Sequence, residues 1–133
     1  MFRDCTMDDG AVRIAREFWE RMRSNDFASV APLLADDFVL EWPQTRERIR
    51  GAPNFVRMNA DYPAHGPWCF TIHRLVGGAR EAVSDVSITD GVLAVRAITF
   101  FEVADGRVRR IVEWWPEPCA APANRTHLVE TMD

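Results

Sequence analysis

The clearest periodic stretch of the chain runs from Val92 to Trp115. Two runs rich in Val, Ile, Phe and Trp flank Ala104-Asp105-Gly106-Arg107, and Asp-Gly between such runs predicts a β-hairpin. In the second run Val108, Arg110, Val112 and Trp114 alternate with Arg109, Ile111, Glu113 and Trp115, the period of a strand. Both faces mix apolar and charged side chains, which suits a curved sheet enclosing a pocket on one side. Glu113, between Ile111 and Trp115 on an otherwise greasy stretch, is the position that most needs a reason.

Helical spacing governs the start. Ala11, Ile14, Ala15, Phe18 and Met22 recur on one stripe, widened by Val12 and Trp19, with Asp8 or Asp9 as cap. Ser24-Asn25-Asp26 ends that helix, and Asp26 opens a short second one carrying Phe27, Val30, Leu33 and Leu34, which Pro32 distorts. Ala35-Asp36-Asp37 turns into a strand, Phe38 to Trp42, stopped by Pro43. Residues 44–50 read as a solvated, Arg-rich loop. Pro53 suits the first turn of a third helix with Phe55, Met58 and Tyr62 on one face, ended by Pro63. Strands follow at Trp68 to Val76 and Glu81 to Thr89, separated by Gly77-Gly78, and Asp90-Gly91 leads into the hairpin. The order predicts an α+β fold with helices on one face of an antiparallel sheet. The tail from Pro116 is Pro- and Ala-rich, with a short helix predicted at Ala123 to Glu130.

Composition narrows the partners. A chain of 133 residues makes one domain, its core at about residues 10–118 and a tail at 119–133. A hydrophobic content of 47% with five Trp and eight Phe argues against disorder. A net charge of -4 without a basic run argues against nucleic acid as a partner. No apolar stretch of about 18 residues exists to span a membrane. The opening MFRDCTMDDG lacks the apolar centre of a signal peptide. Cys5, Cys69 and Cys119 are odd in number and without metal-like spacing, which fits reduced thiols in a cytoplasm and neither metal nor cofactor.

The stretch AVRIAREFWERMRSNDFASVAPLLADDFVLEWP resembles the opening of the nuclear-transport-factor-2-like superfamily, which includes ketosteroid isomerases, SnoaL-like polyketide cyclases and limonene-epoxide hydrolases. The Gly51–Pro63 helix and FFEVADGRVRRIVEWWPEP strengthen the likeness, which spans about residues 10–118. It implies a cone-shaped curved antiparallel sheet (a cystatin-like arrangement) wrapped by N-terminal helices around an apolar pocket, in a homodimer. Ketosteroid isomerases use a tyrosine where this chain has Phe18, an aspartate before a proline where Trp42 precedes Pro43, and a second aspartate where Thr99 stands. Phe offers no hydroxyl, Trp accepts no proton from carbon, and Thr is no carboxylic acid, so that route is excluded. In cyclases and epoxide hydrolases the resemblance implies a proton-handling carboxylate at Glu113. The hydrolases add an Arg-x-Asp on the preceding hairpin, where Asp85 matches the aspartate but Val83 replaces the arginine.

The chemistry follows from burial. A carboxylate walled by Ile111, Trp115 and Phe101 is poorly hydrated, and its pKa rises toward neutrality. A second carboxylate such as Asp85 would raise it further and share a proton with it. The opposing reading pairs Glu113 with an arginine, Arg96 for example, in a structural role. Phe18, Trp42, Tyr62, Trp68, Thr99, Phe101, Ile111 and Trp115 are the residues expected to bind an apolar or partly oxygenated small molecule. Glu41 is expected to face solvent or a dimer interface, His73 to be a structural hydrogen-bonding group on its strand, and Asn59 to stand near the pocket mouth. The uncovered face carrying Ile98 and Phe100 is expected to join two copies. Three functions remain in play: an acid/base enzyme of isomerase, cyclase or hydrolase type using Glu113 and Asp85, a non-catalytic binding module, and a dimeric interaction protein.

Overall fold

A computed structural model describes residues 8–133; Cys5 lies outside them. Helix α1, Gly10–Arg23, buries Ala11, Ala15, Phe18, Trp19 and Met22, the stripe that the spacing predicts. The Asp8 carboxylate accepts the Gly10 N–H at 3.0 Å and so satisfies one free donor at its start. The second helix is a 3-10 turn, Phe27–Leu33, as suits a short segment interrupted by Pro32. Helix α2, Ala52–Asp61, buries Phe55 and stops just short of Pro63.

Six strands form one sheet: β1 Leu34–Trp42, β2 Glu47–Arg50, β3 Cys69–Gly77, β4 Glu81–Thr89, β5 Ala94–Ala104 and β6 Arg107–Trp114. Their order is β2-β1-β6-β5-β4-β3, so β2 and β3 are free edges and the sheet stays open. Strands β3 to β6 form the expected antiparallel meander. Two features depart from the sequence reading. Residues 44–50 are not all loop, because Glu47–Arg50 pairs with β1 as an edge strand. And β1 lies parallel to β6, with Leu40 opposite Ile111, so the sheet is mixed rather than wholly antiparallel.

The hairpin between β5 and β6 closes over two residues, Asp105 at φ 53° and Gly106 at φ 77°, the left-handed pair that matches strand twist. Gly77 admits no side chain, since a Cβ there would meet the Glu81 carbonyl oxygen at 2.2 Å. Register breaks in the β1–β6, β3–β4 and β5–β6 pairings mark bulges, and bulges bend the strands that carry them. The bend gives a concave face, and α1 packs there on β3, β4 and β5 while α2 packs on β1 and β2. The break in β6 also explains its burial. Val108 and Ile111 both point inward, with exposed Arg109 absorbing the extra step. Plain alternation would have turned Val108 outward.

Candidate functional site

Between the concave face, α1 and α2 lies an open cavity of about 500 Å³. Phe18 and Met22 from α1, Phe55 and Met58 from α2, and Leu40, Ile111 and Trp115 from the β1–β6 side form its apolar wall. Gln44, Thr45, Glu47 and Glu117 stand around its mouth, all exposed. Phe18 also anchors the packing beneath, with ring centroids 5.8 Å from Phe55 and 5.2 Å from Phe101. Such concave aromatic surfaces with few polar groups are the usual shape of small-molecule sites.

Glu113 is the polar group in the floor. It is only 8% exposed. The register places Ser84, Thr99 and Glu113 side by side across β4, β5 and β6, all on the inner face. Thr99 donates its hydroxyl to Glu113 Oε2 at 2.7 Å, and the Trp42 indole N–H donates to Oε1 at 3.0 Å. In the same row Ser84 accepts the Trp19 indole N–H at 3.0 Å. Glu113 forms no salt bridge among the described residues. Burial pushes its carboxyl above the ordinary value, and the donors Trp42 and Thr99 only partly oppose that.

Of the sequence-predicted residues, Phe18, Trp42, Tyr62, Trp68, Ile111, Glu113 and Trp115 converge on the cavity. Thr99 and Phe101 share that inner face but lie wholly beneath the surface, Thr99 supporting Glu113 and Phe101 supporting Phe18. Asp85 does not join them. In β4 the buried residues are Ala82, Ser84, Val86 and Ile88, which sends Asp85 to the opposite face. There the Arg96 guanidinium holds it through two hydrogen bonds and keeps its carboxyl below the usual range. Arg96 is thus spoken for by Asp85 and is no partner for Glu113. Glu41 is also on the outer face, bound by Arg110 and Arg48, which hold its carboxyl low. His73 Nε2 lies 2.6 Å from Ser87 Oγ on that face. Cys69 and Cys119 are free and exposed, and no three His, Cys, Asp or Glu side chains among the described residues could hold a metal.

Three devices that position the walls were not foreseen. Asn25, at φ 60°, accepts the Trp68 N–H at 2.7 Å and donates to the Trp68 carbonyl at 2.9 Å. Gln44 grips Trp115 in the same way, accepting its N–H and donating to its carbonyl at 3.0 Å. Each side-chain amide thus mimics a strand neighbour for a tryptophan of the cavity wall. Asp90 accepts the N–H groups of Val92, Leu93 and His65, and also meets His65 Nδ1 at 3.0 Å. That carboxylate fastens the segment between α2 and β3 to the β4–β5 turn. Asn59, expected near the mouth, lines the cavity and donates to the Phe55 carbonyl at 2.9 Å. The signal for the amide grips was weak: a lone Asn or Gln beside a turn reads as loop polarity until its partner is known.

The comparisons agree with this architecture. The SnoaL-like domain family matches residues 15–111. A candidate ketosteroid isomerase of Kribbella flavida DSM 17836 is 35% identical, covering 93% of this chain and 90% of its own, with a TM-score of 0.85. An NTF-2 like protein of unknown function from Burkholderia xenovorans LB400 is 22% identical over 92% of this chain and 96% of its own, with a TM-score of 0.76. An LEH-like epoxide hydrolase of M. tuberculosis is 24% identical over 80% of this chain and 83% of its own, with a TM-score of 0.66. The last two share the fold. No curated protein matches the chain in sequence. The chain belongs to the SnoaL-like domain family, within the nuclear-transport-factor-2-like and ketosteroid-isomerase-like superfamily.

Proposed function

We propose that the chain binds a small, mainly apolar molecule in its cavity and transfers a proton to or from it through Glu113. The observation that carries this reading is a carboxyl in the cavity floor, buried, held by neutral donors and lacking a cationic partner among the described residues. A group of that kind changes protonation closer to neutral pH than a free carboxyl, as general acid–base catalysis requires. Asp85 has no part in it, so Glu113 works with Thr99 and Trp42 as its supports. The matching positions Phe18, Trp42 and Thr99 lack the groups that ketosteroid isomerases use, which favours another proton-transfer reaction of isomerase, cyclase or hydrolase type.

Deuterium exchange tests this directly. The protein, incubated in D2O with an apolar bicyclic ketone such as 2-tetralone, should speed exchange at the carbons beside the carbonyl. Limonene oxide probes hydrolysis, read as formation of the diol. Replacing Glu113→Gln should abolish either activity while leaving the ligand's affinity largely unchanged. Equal rates for the two proteins would remove the catalytic role. The cavity would then be a ligand carrier, a reading favoured by the occupation of both Glu113 oxygens by protein donors.

A further inference from the structure

The charged side chains that line the cavity are all of one sign. Glu113 lies in the floor, Glu47 and Glu117 at the mouth, and no Arg or His among the described residues lines it. Arg48, Arg50 and Arg57 border an adjoining groove that shares Trp42, Glu47 and Met58 with the cavity, and none of the three lines the cavity itself. Arg48 is engaged by Glu41, and Arg57 by Asp61. From α1, β4 and β5 no charged side chain reaches the cavity; Tyr62, after α2, adds a phenol.

Such a wall discriminates by charge. A carboxylate or phosphate would lose its hydration and find no counter-charge, a cost nothing here offsets. A neutral molecule would gain from the apolar wall and at most a hydrogen bond from a carboxylate, without charge attraction. A cation gains from the carboxylates, and an aromatic lining that includes Trp42, Trp68, Trp115 and Tyr62 can add cation–π attraction wherever a ring face is presented to it. The chain's net charge of -4 adds long-range attraction of the same sign.

We infer that the ligand of this cavity is an apolar molecule bearing a protonated amine, its ammonium directed at Glu113. This rests on the reading of the cavity as a small-molecule site, and not on catalysis. Binding is then coupled to the carboxyl's proton. An ammonium beside Glu113 favours its ionised form, so a proton leaves as the cation enters.

Calorimetric titration with three probes of one shape tests the inference: 2-(1-naphthyl)ethylamine, 2-(1-naphthyl)ethanol and 1-naphthylacetate. At pH 8 the amine should bind about tenfold more tightly than the alcohol, with the acetate weakest. The amine's advantage should shrink at pH 5 and vanish in Glu113→Gln, whose affinity for the alcohol should stay as in the wild type. If the alcohol or the acetate binds as tightly as the amine, the inference is overturned and the cavity reading stands. If none of the three binds, both fall. Should Glu113→Gln fail to fold, the wild-type titrations carry the test: an amine advantage at pH 8 that shrinks at pH 5 supports the inference, and an advantage equal at the two pH values overturns it.

Discussion

Trp42 can only donate, so Glu113 must present a lone pair to it whether ionised or protonated. Thr99 is different, because its hydroxyl can donate to a carboxylate or accept from a carboxylic acid. The pair therefore tolerates both states of Glu113. Glutamine fits the same frame, its oxygen toward Trp42 and its amide N–H toward Thr99. The sign of the pH effect follows from the raised carboxyl. The folded chain holds that proton more tightly than the unfolded one, so stability is greatest below the ordinary value of 4.5 and falls as pH rises through the folded pKa. Glu113→Gln does not titrate and escapes that fall. Its melting temperature should match or exceed the wild type's at pH 7, the difference growing with pH by at most about 1.4 kcal/mol per unit. A loss of about 3–5 kcal/mol at pH 7 in the same melts would reveal a stranded cation and defeat the unpaired-carboxyl account. The residue itself was legible from the strand alternation between Ile111 and Trp115. That Trp42 is one of its donors was not, because Trp42 lies 71 positions away and only the β1–β6 pairing brings it near.

At the scale of elements, the Asp90 carboxylate joins two loops that carry Tyr62, Trp68 and Leu93 into the cavity wall. The His65 N–H foremost, then the His65 ring and the Val92 and Leu93 N–H groups, holds this carboxyl well below the usual range. Its contribution to stability is present above the ordinary value of 3.8 and is lost as pH falls from there toward the folded pKa. Asp90→Asn should flatten that acid limb and speed amide hydrogen exchange in residues 62–68 and 90–93, leaving α1 protected. Uniform exchange across the chain would show that no local clamp exists. Elements with strong local grammar were readable: the Asp-Gly hairpin, the α1 stripe and the limits of β4 all follow from spacing. Strand β2 was not, since Glu47-Arg48-Ile49-Arg50 is as polar as a loop and its strand character comes from pairing with β1. Asp85 was misplaced for a related reason. Both faces of β4 mix small polar and apolar residues, so only its register against β5 decides which one is buried.

For the whole molecule, the outer face of the sheet carries a strip that this chain leaves uncovered. Val83, Phe100 and Val112 align across β4, β5 and β6, with Ile98 beside Trp114 in the next row. Phe100 is 44% exposed and Trp114 41%. The strip is bordered by ion pairs of both signs, Asp85 with Arg96 on one side and Glu41 and Glu102 with Arg110 on the other, a pattern suited to a second copy turned through a two-fold axis. We propose a homodimer through this face. Sedimentation at micromolar concentration should give about twice the 15.2 kDa of one chain, and Phe100→Glu should give a folded monomer. A wild-type monomer would rule the dimer out. No helix among the described residues is long and apolar enough to cross a membrane. The architecture was legible in outline, helices on one face of a curved sheet. The parallel closure of β1 on β6 was not, because it joins segments about seventy positions apart and leaves no local trace.

Glu113 is a desolvated carboxyl facing a cavity, with no cationic partner among the described residues. Carbon-13 NMR titration of the side-chain carboxyl, assigned by its absence in Glu113→Gln, measures this without knowledge of any substrate. A desolvated Glu113 should titrate with a midpoint clearly above the value of about 4.3 for a free glutamate. A midpoint at or below that value would mean that a positive charge or stronger donors hold the anion, and that Glu113 is not a desolvated, unpaired carboxyl.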